Sequence, residues 1–433
     1  MRNAGTRPPR RRRGYPGTLR RNQVTPRRNC PPPEATSTLG KNPAAEPEKQ
    51  RHGHHRKEHR SGFGKWHRQE SNRRTVPRKS RTPRNATPSD RKSQDRTAGG
   101  IRRPTTGYAT PMRVVIVGAS GNAGTALLRR LRAEPDLDLA GISRREPTPA
   151  GPYADVSWFV ADIGAEDAAD SLTRIFRGAD AVVNLAWQIQ PSHDQRRLYR
   201  TNVLGSRAVF RAALDAGVPT LVHASSVAAY APGPKRGFVK ESWLRTGIPE
   251  SSYSRHKALV ERVLDEIESD HPTLRVVRMR PGLIFQRDAG SEITRLLAGP
   301  LLRAGRIPLV PRTAGLRIQA VHADDVADAY LRVLRTDVRG AFNIAAGPVL
   351  DADVIGRAFH GVPLPVPGLL LEGAAALTWQ LRLQPIDRGW VRLARKAPLM
   401  SCDRAASQLD WRPRTDAISA MRELLTGLAR PSS

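Results

Sequence analysis

The chain has 433 residues, with 72 Lys+Arg against 40 Asp+Glu and a formal net charge of +32, enough material for two or three domains. The charge is uneven: residues 1–111 hold 29 Lys+Arg and 7 Asp+Glu, which leaves +10 for residues 112–433. Two cysteines, Cys30 and Cys402, exclude a disulfide framework or cysteine-based zinc cluster and fit a reducing, cytoplasmic setting, while no run of about 18 uncharged apolar residues exists to span a membrane.

Residues 1–111 carry only scattered apolar side chains, Leu19, Val24, Leu39, Phe63, Trp66, Val76 and Ile101 among them. These cannot offset the entropy of ordering the backbone, so a disordered Arg/Pro-rich tail is expected. Three readings of it stand: an arm binding nucleic acid through phosphates, an Arg-rich targeting segment, or a leader left by a wrongly chosen upstream start. The last is favoured, because Met112 is the first methionine after Met1 and opens the first strand. The tail lacks spaced aromatics for base stacking, so nucleic acid is not expected as a partner beyond this tail. Its His-rich patch, residues 51–60, matches no defined metal spacing, and no metal site is expected.

From Met112 the pattern alternates strand, turn and helix. MRVVIV (112–117) precedes a helix through Leu127 and Leu131; LDLAGI (137–142), SWFVAD (157–162) and AVVNLAW (181–187) follow, with a short helix around Leu172–Phe176. A helix over 202–216 leads to LVHASS (221–226), and one over 253–267 to LRVVRMRP (274–281). Continuous apolar strands alternating with helices predict an α/β fold: a doubly wound parallel sheet of Rossmann type over about 112–285. A smaller substrate lobe over about 286–433 is expected beyond Gly282, with AFNIAA (341–346) as one of its strands. Asp324 and Asp325 are read as an N-cap and a first-turn carboxylate, and Ile418, Met421, Leu425 and Leu428 as the core face of a final helix. Residues 365–383 are read as a buried or lid helix, the alternative being an interfacial helix.

Three motifs carry chemistry. Gly118-Ala119-Ser120-Gly121-Asn122-Ala123-Gly124 lies between a strand and a helix, where glycines permit a tight turn and let the backbone approach a pyrophosphate at a helix N-terminus. Ser143-Arg144-Arg145 ends the second strand, where an acidic residue would bind ribose hydroxyls; two arginines favour a 2′-phosphate, hence NADP, with NAD as the alternative. Asp162 and Ile163 end the third strand, placed to meet the adenine. Tyr253 and Lys257 are four apart, on one helix face. A nearby ammonium would lower the tyrosine's ordinary value of about 10 towards the working range of an acid–base group. Ser226, at the end of the preceding strand, can bond the same substrate oxygen.

Together with NLAW, TNVLGS, HASSVAAY, RPG and VHADDVADA in that order, these motifs resemble the extended short-chain dehydrogenase/reductase family, in its NAD-dependent epimerase/dehydratase branch, from about Met112 to Leu428. The resemblance implies that Gly118, Gly121 and Gly124, with Ser120 and Asn122 between them, hold the pyrophosphate. It puts Leu185 and Ala186 along the cofactor, has Asn202 support the active-site helix, and sets Pro281 and Gly282 near the nicotinamide. It makes Ser226, Tyr253 and Lys257 the catalytic set, and allows a homodimer through helices of the Rossmann domain. Trp187 and Ser225 are candidates for substrate contact. His223 is read as strand filling and His256 as pointing off the catalytic face.

Family members that dehydrate sugar nucleotides carry an Asp-Glu pair just after the catalytic hydroxyl residue; Val227-Ala228 stands here, which speaks against elimination of water. The expected activity is hydride transfer at a secondary alcohol or carbonyl carbon of a nucleotide sugar or similar small molecule, as an epimerase or reductase. The alternatives are an NAD(P)-binding sensor without turnover and a nucleic-acid-associated protein acting through its tail.

Overall fold

The computed structural model of the chain describes residues 110–189, 193–287, 307–383 and 386–429. The tail expectation, Cys30 and the His-rich patch included, falls on residues 1–109, outside those described.

The strands are β1 (Met112–Val117), β2 (Leu137–Ser143), β3 (Ser157–Val160), β4 (Ala181–Asn184), β5 (Thr220–Ala224), β6 (Arg275–Pro281), β7 (Leu283–Phe285), β8 (Leu309–Arg312), β9 (Ile318–His322), β10 (Gly340–Ile344), β11 (Ala346–Leu350) and β12 (Val362–Pro365). The helices are α1 (Asn122–Leu131), α2 (Ala168–Phe176), α3 (Gln195–Tyr199), α4 (Gly205–Asp215), α5 (Ser252–Asp270), α6 (Ala323–Leu334), α7 (Ala352–Phe359), α8 (Gly368–Gln380), α9 (Arg388–Lys396), α10 (Asp403–Gln408) and α11 (Ala417–Ala429). A π-helical turn, Arg200–Leu204, joins α3 to α4.

Seven strands form one parallel sheet in the order β10-β6-β5-β4-β1-β2-β3. Strands β1 and β4 at its centre are largely apolar because both faces are covered. Val114 and Ile116 of β1 face a layer built from Leu127, Leu128 and Leu131 of α1, Val326 and Tyr330 of α6, and Trp411. Val115 and Val117 face Leu172 and Phe176 of α2, Val209 and Phe210 of α4, and Val260 and Leu264 of α5. The chain runs from β1 outward to β2 and β3 on one side, then crosses back to β4 on the other side of β1, so a crevice opens at the carboxyl ends of β1 and β4, where open α/β sheets bind ligands.

Beyond Gly282, β11-β9-β7 form a second sheet and β12-β8 a two-stranded ribbon. Three expectations need correction here. AFNI is a strand, β10, but it pairs in parallel with β6 as the edge of the large sheet instead of building the smaller lobe. The N-cap of α6 is His322, whose Nδ1 accepts from the Asp324 amide, while Asp325 takes the amides of Arg414 and Thr415. The helix within 365–383, α8, buries Glu372 and leaves Leu369, Leu370 and Leu377 exposed, with Leu371 half-buried. The final helix does pack: Ala417, Ala420 and Leu424 are buried, with Ile418, Met421 and Leu428 against them.

The central strand β6 departs from a plain apolar reading, since Arg278 and Arg280 are almost fully buried in it. α5 supplies the counter-charges from one face, Glu261, Asp265 and Glu268. Arg280 donates from Nε to Glu261 at 2.7 Å and from Nη2 at 2.5 Å, and Arg278 reaches Asp265 at 3.0 Å and Glu268 at 2.5 Å. The Glu261 carboxyl is held below its ordinary value: burial pushes it up, but its bonds to Arg280 and Ser225 and the Arg278 charge outweigh burial. Removing one partner of such a pair strands the other in the core, at a cost of about 3–5 kcal/mol. Glu261→Ala is therefore expected to lose about that much in urea unfolding, while Glu261→Leu combined with Arg280→Met regains most of it. A loss below about 1 kcal/mol for the single variant would deny the pair its structural role.

Candidate active site

The glycine turn lies where its spacing requires. Gly118 has φ +83°, and a β-carbon there would stand 2.8 Å from the backbone of Ala186. Gly124 lets α1 start directly against Gly118 and Ala119; a β-carbon would run into the Gly118 carbonyl. The N-cap of α1, Gly121, offers no side-chain acceptor, so the first amides of the helix are left facing the crevice. Ser120 is exposed beside them, and the Asn122 side chain is held by Gln286. This cradle fits a pyrophosphate.

At the end of β2, Ser143 turns its hydroxyl onto the Arg145 carbonyl, while Arg144 and Arg145 are exposed, with no acidic partner among the described residues. Asp162 is exposed and caps the Gly164 amide, and Ile163 packs into the core against Gly205. Leu185 and Ala186 cross the end of β4, tied by Leu185 N to the Val117 carbonyl at 2.9 Å and by Ala186 N to Asn184 at 3.2 Å. Asn202 differs from expectation. Both its polar side-chain atoms bond the backbone of Gln188, at 2.7 and 3.0 Å, so it fixes the loop after β4. Pro281 is buried at the end of β6, and Gly282 allows that strand to pass close over the Gln319 carbonyl.

Helix α5 carries the acid–base candidates. Ser251 caps it, accepting from the Ser254 amide, and Ser254 donates at 2.5 Å to Ala228, so the helix start is stitched to the turn after β5. That turn presents Ser226, whose hydroxyl takes the Ala228 amide at 3.1 Å and lies near enough to the Tyr253 phenol to favour its ionised form. Ser225 points the other way, onto buried Glu261; it is an anchor and not a substrate contact.

Lys257 is buried, and its Nζ donates to the Ala224 carbonyl at 2.6 Å. The same Nζ sits 3.4 Å from the centroid of the Trp187 ring and 5.9 Å from that of Tyr253. Tyr253 therefore differs from the expected tuning. Burial raises the phenol above its ordinary value, and the nearby Ser226 hydroxyl only partly opposes this. Burial also holds Lys257 well below its ordinary value, Glu261 pulling the other way. Both groups favour their uncharged forms.

Around Tyr253 the structure adds residues that no sequence spacing signalled. Trp390 of α9 lies with its ring 4.9 Å from that of Tyr253, and Trp187 meets the same ring edge-on at 6.0 Å. The Trp187 indole N–H is buried with no acceptor among the described residues. Gln188, Asp387, Trp390 and His256 border a cavity of about 10 Å³ beside Tyr253, room for about one water. His256, expected off the catalytic face, lines this cavity and packs edge-on against Tyr199 at 5.6 Å. His223 is strand filling as expected, buried beside Phe210 and Asn184. The larger hollow, about 350 Å³ between β3 and α2, holds no acid–base pair. Among the described residues no cluster of three metal-ligating side chains occurs.

The family model described as "NAD dependent epimerase/dehydratase family" matches residues 114–345. The chain is 33% identical over 114 residues to L-arabinose 1-dehydrogenase (NAD(P)(+)) of Haloferax volcanii, covering 26% of this chain and 41% of that protein. It is 26% identical over 215 residues to UDP-glucose 4-epimerase of Neisseria gonorrhoeae, covering 45% and 59%. The matches thus span between 41% and 59% of these relatives' lengths. The crystal structure of Thermus thermophilus UDP-glucose 4-epimerase in complex with NAD superposes with a TM-score of 0.56 at 22% identity, covering 74% of this chain and 100% of that one, which shows a shared fold.

Two buried imidazoles bordering this region make stability depend on pH. Burial, and then the Arg255 charge, lower His256 to about 4, and burial lowers His223 well below its ordinary value. In the unfolded chain each takes up a proton as pH falls through about 6.5, which the folded state resists. The unfolded state then binds more protons, so stability is lost as pH falls from about 6.5 towards 4. His256→Phe, which keeps a ring against Tyr199, is expected to shrink this loss by on the order of 2 kcal/mol. Thermal unfolding of both proteins at several pH values in that window checks it; parallel curves would mean that His256 is charged in the fold.

Proposed function

The chain belongs to the NAD dependent epimerase/dehydratase family, within the extended short-chain dehydrogenases/reductases, and from that premise we propose that it is an NAD(P)-dependent oxidoreductase or epimerase using Tyr253 as its acid–base group. The observation that carries the reading is Tyr253 and Lys257 one turn apart on α5, with Lys257 Nζ 5.9 Å from the centroid of the Tyr253 ring and bonded to Ala224 at the carboxyl end of β5, next to Ser226.

The nicotinamide, when bound, supplies or accepts the hydride. Gly118, Gly121 and Gly124 would cradle its pyrophosphate at the start of α1. The exposed, unpaired guanidinium groups of Arg144 and Arg145 suit a 2′-phosphate, which favours NADP over NAD. Lys257 would hold the nicotinamide ribose. Tyr253, kept as a phenol by burial, gives its proton to a carbonyl oxygen as the carbon becomes an alcohol; Ser226 bonds the same oxygen. Oxidation runs the proton the other way and needs the phenolate, which burial disfavours. Val227 and Ala228, buried or half-buried in the turn after Ser226, offer no second acid–base pair for dehydration. The substrate class is a nucleotide sugar or another mid-sized carbonyl compound, and net reduction is favoured over epimerisation by the arginine pair.

The test is a titration of the full chain with NADPH and NADH, followed by turnover. NADPH is expected to bind more tightly, and Arg144→Ala with Arg145→Ala to weaken it by about tenfold or more while leaving NADH unchanged. Tyr253→Phe should bind cofactor normally and lose about 10²–10⁴-fold in turnover. Equal binding of both cofactors, unaffected by the arginine substitutions, would overturn the NADP assignment; no binding of either would sink the enzyme reading.

A further inference from the structure

Helix α8 is built inside out. Successive residues turn by about 100°, which places Leu369, Leu370, Leu377 and Leu381 within one sector of about 120°. These four, with Leu383 just beyond, are between 58% and 78% exposed. On the other side of the helix, Glu372 is buried and bonded by Arg392 at 2.7 Å and by Arg395, both of α9, and Trp379 stacks on His193 at 3.9 Å. A helix packing by hydrophobic burial turns its leucines inward; this one is fastened by a buried carboxylate and presents most of its leucines outward. Further exposed apolar residues precede the helix in sequence: in the β8–β12 ribbon, Val362 lies opposite Leu309, 61% and 60% exposed, with Leu364 two residues on.

The charge around this face decides what covers it. Between 362 and 396 the chain has two acids, Glu372 and Asp387. The first is held by arginines, and the second caps α9 by accepting from the Trp390 amide. Arg382 and Arg388, beside the exposed leucines in sequence, are themselves exposed and have no acidic partner among the described residues. An apolar face followed in the chain by exposed guanidinium groups without acidic partners among the described residues matches an anionic lipid surface, into whose headgroup zone such a helix sinks its leucines while arginines meet phosphates. A second copy of the chain is a poorer match, because it would bring its own Arg382 and Arg388, on a body of net charge +10 over residues 112–433, against the same charges. Among the described residues no helix is long and apolar enough to cross a membrane, so the contact is with the surface.

We propose that the outward leucine face of α8 docks the protein onto an anionic membrane surface. Helix α9, fastened to α8 through Glu372, carries the Trp390 that packs on Tyr253, so docking would set the mouth of the cavity at the lipid interface.

The basic tail also attracts anionic lipid, and the experiment separates the two by salt. Full-length protein is sedimented with phosphatidylcholine vesicles containing phosphatidylglycerol, then washed at about 1 M NaCl, where charge attraction is screened to about 3 Å. Wild type is expected to stay on the vesicles, and Leu370→Asn with Leu377→Asn to partition at least about tenfold less. Leu370→Met with Leu377→Met should stay bound. Thermal unfolding and cofactor titration of the same variants show whether the fold and the enzymatic site are intact, so failure of docking is distinct from failure of the proposed activity. The inference is overturned if wild type and the Asn variant wash off alike, which would leave only the charge of the tail. It is equally overturned if the Asn variant turns a dimer into a monomer without changing vesicle binding, which would make the face a contact between copies.

Discussion

The ion pair between Glu261 and Arg280 governs where the chemistry can sit. α5 carries Tyr253, Lys257 and Glu261 at successive intervals of four, and only the last is fixed to the sheet by charge, through β6. Glu261 also takes the hydroxyl of Ser225, and Arg280 reaches Tyr230, which in turn donates to Asn343 on β10. One buried carboxylate thus ties the helix to the turn after β5 and, through two further side chains, to the edge strand. Charges in the core are costly on their own, but Glu261 and Arg280 are paired through two bonds, so the network favours one register of α5 along the sheet.

That network explains part of what a reader of the sequence can and cannot see. The parallel sheet was legible because strands such as β1 and β4 are buried on both faces and therefore mostly apolar. The glycine turn and the Tyr253–Lys257 spacing were legible because each is local, one set by backbone conformation and the other by helical periodicity. The spacing continued to Glu261, a signal in the sequence that was not used. Ser226 was chosen for the catalytic set through the family resemblance and Ser225 only as a candidate contact; that Ser225 instead turns onto Glu261 is a tertiary fact, since adjacent residues leave a strand end in opposite directions. β10 was misassigned because strand order is a long-range property: nothing local in AFNI says that it will cross back to lie beside β6.

The errors beyond β7 have a common physical source. Apolar composition was read as burial, and in α8 the two are opposed, because Glu372 and its arginines from α9 supply the fastening. Trp390 had no local mark at all. It lies 137 positions beyond Tyr253, on a helix whose place is fixed by Glu250 and Glu372 through Arg392. Residues that close over a site from another part of the chain carry their function in tertiary contacts, which periodicity cannot report.

The remaining constraint acts on Lys257. Its Nζ is shared between the Ala224 carbonyl and the face of Trp187, and burial opposes its charge. A desolvated cation over an indole is stabilised by about 2 kcal/mol, so Trp187 works with Glu261 to retain a proton that burial would remove. A ribose hydroxyl bonding Lys257 would have to draw Nζ away from this face or share it. Trp187 stands edge-on to Tyr253 as well, so any shift of Lys257 is felt by the phenol. In this arrangement the tuning of Tyr253 is not a fixed property of the helix spacing. It depends on what holds Lys257, and the indole is the protein's own competitor for that position.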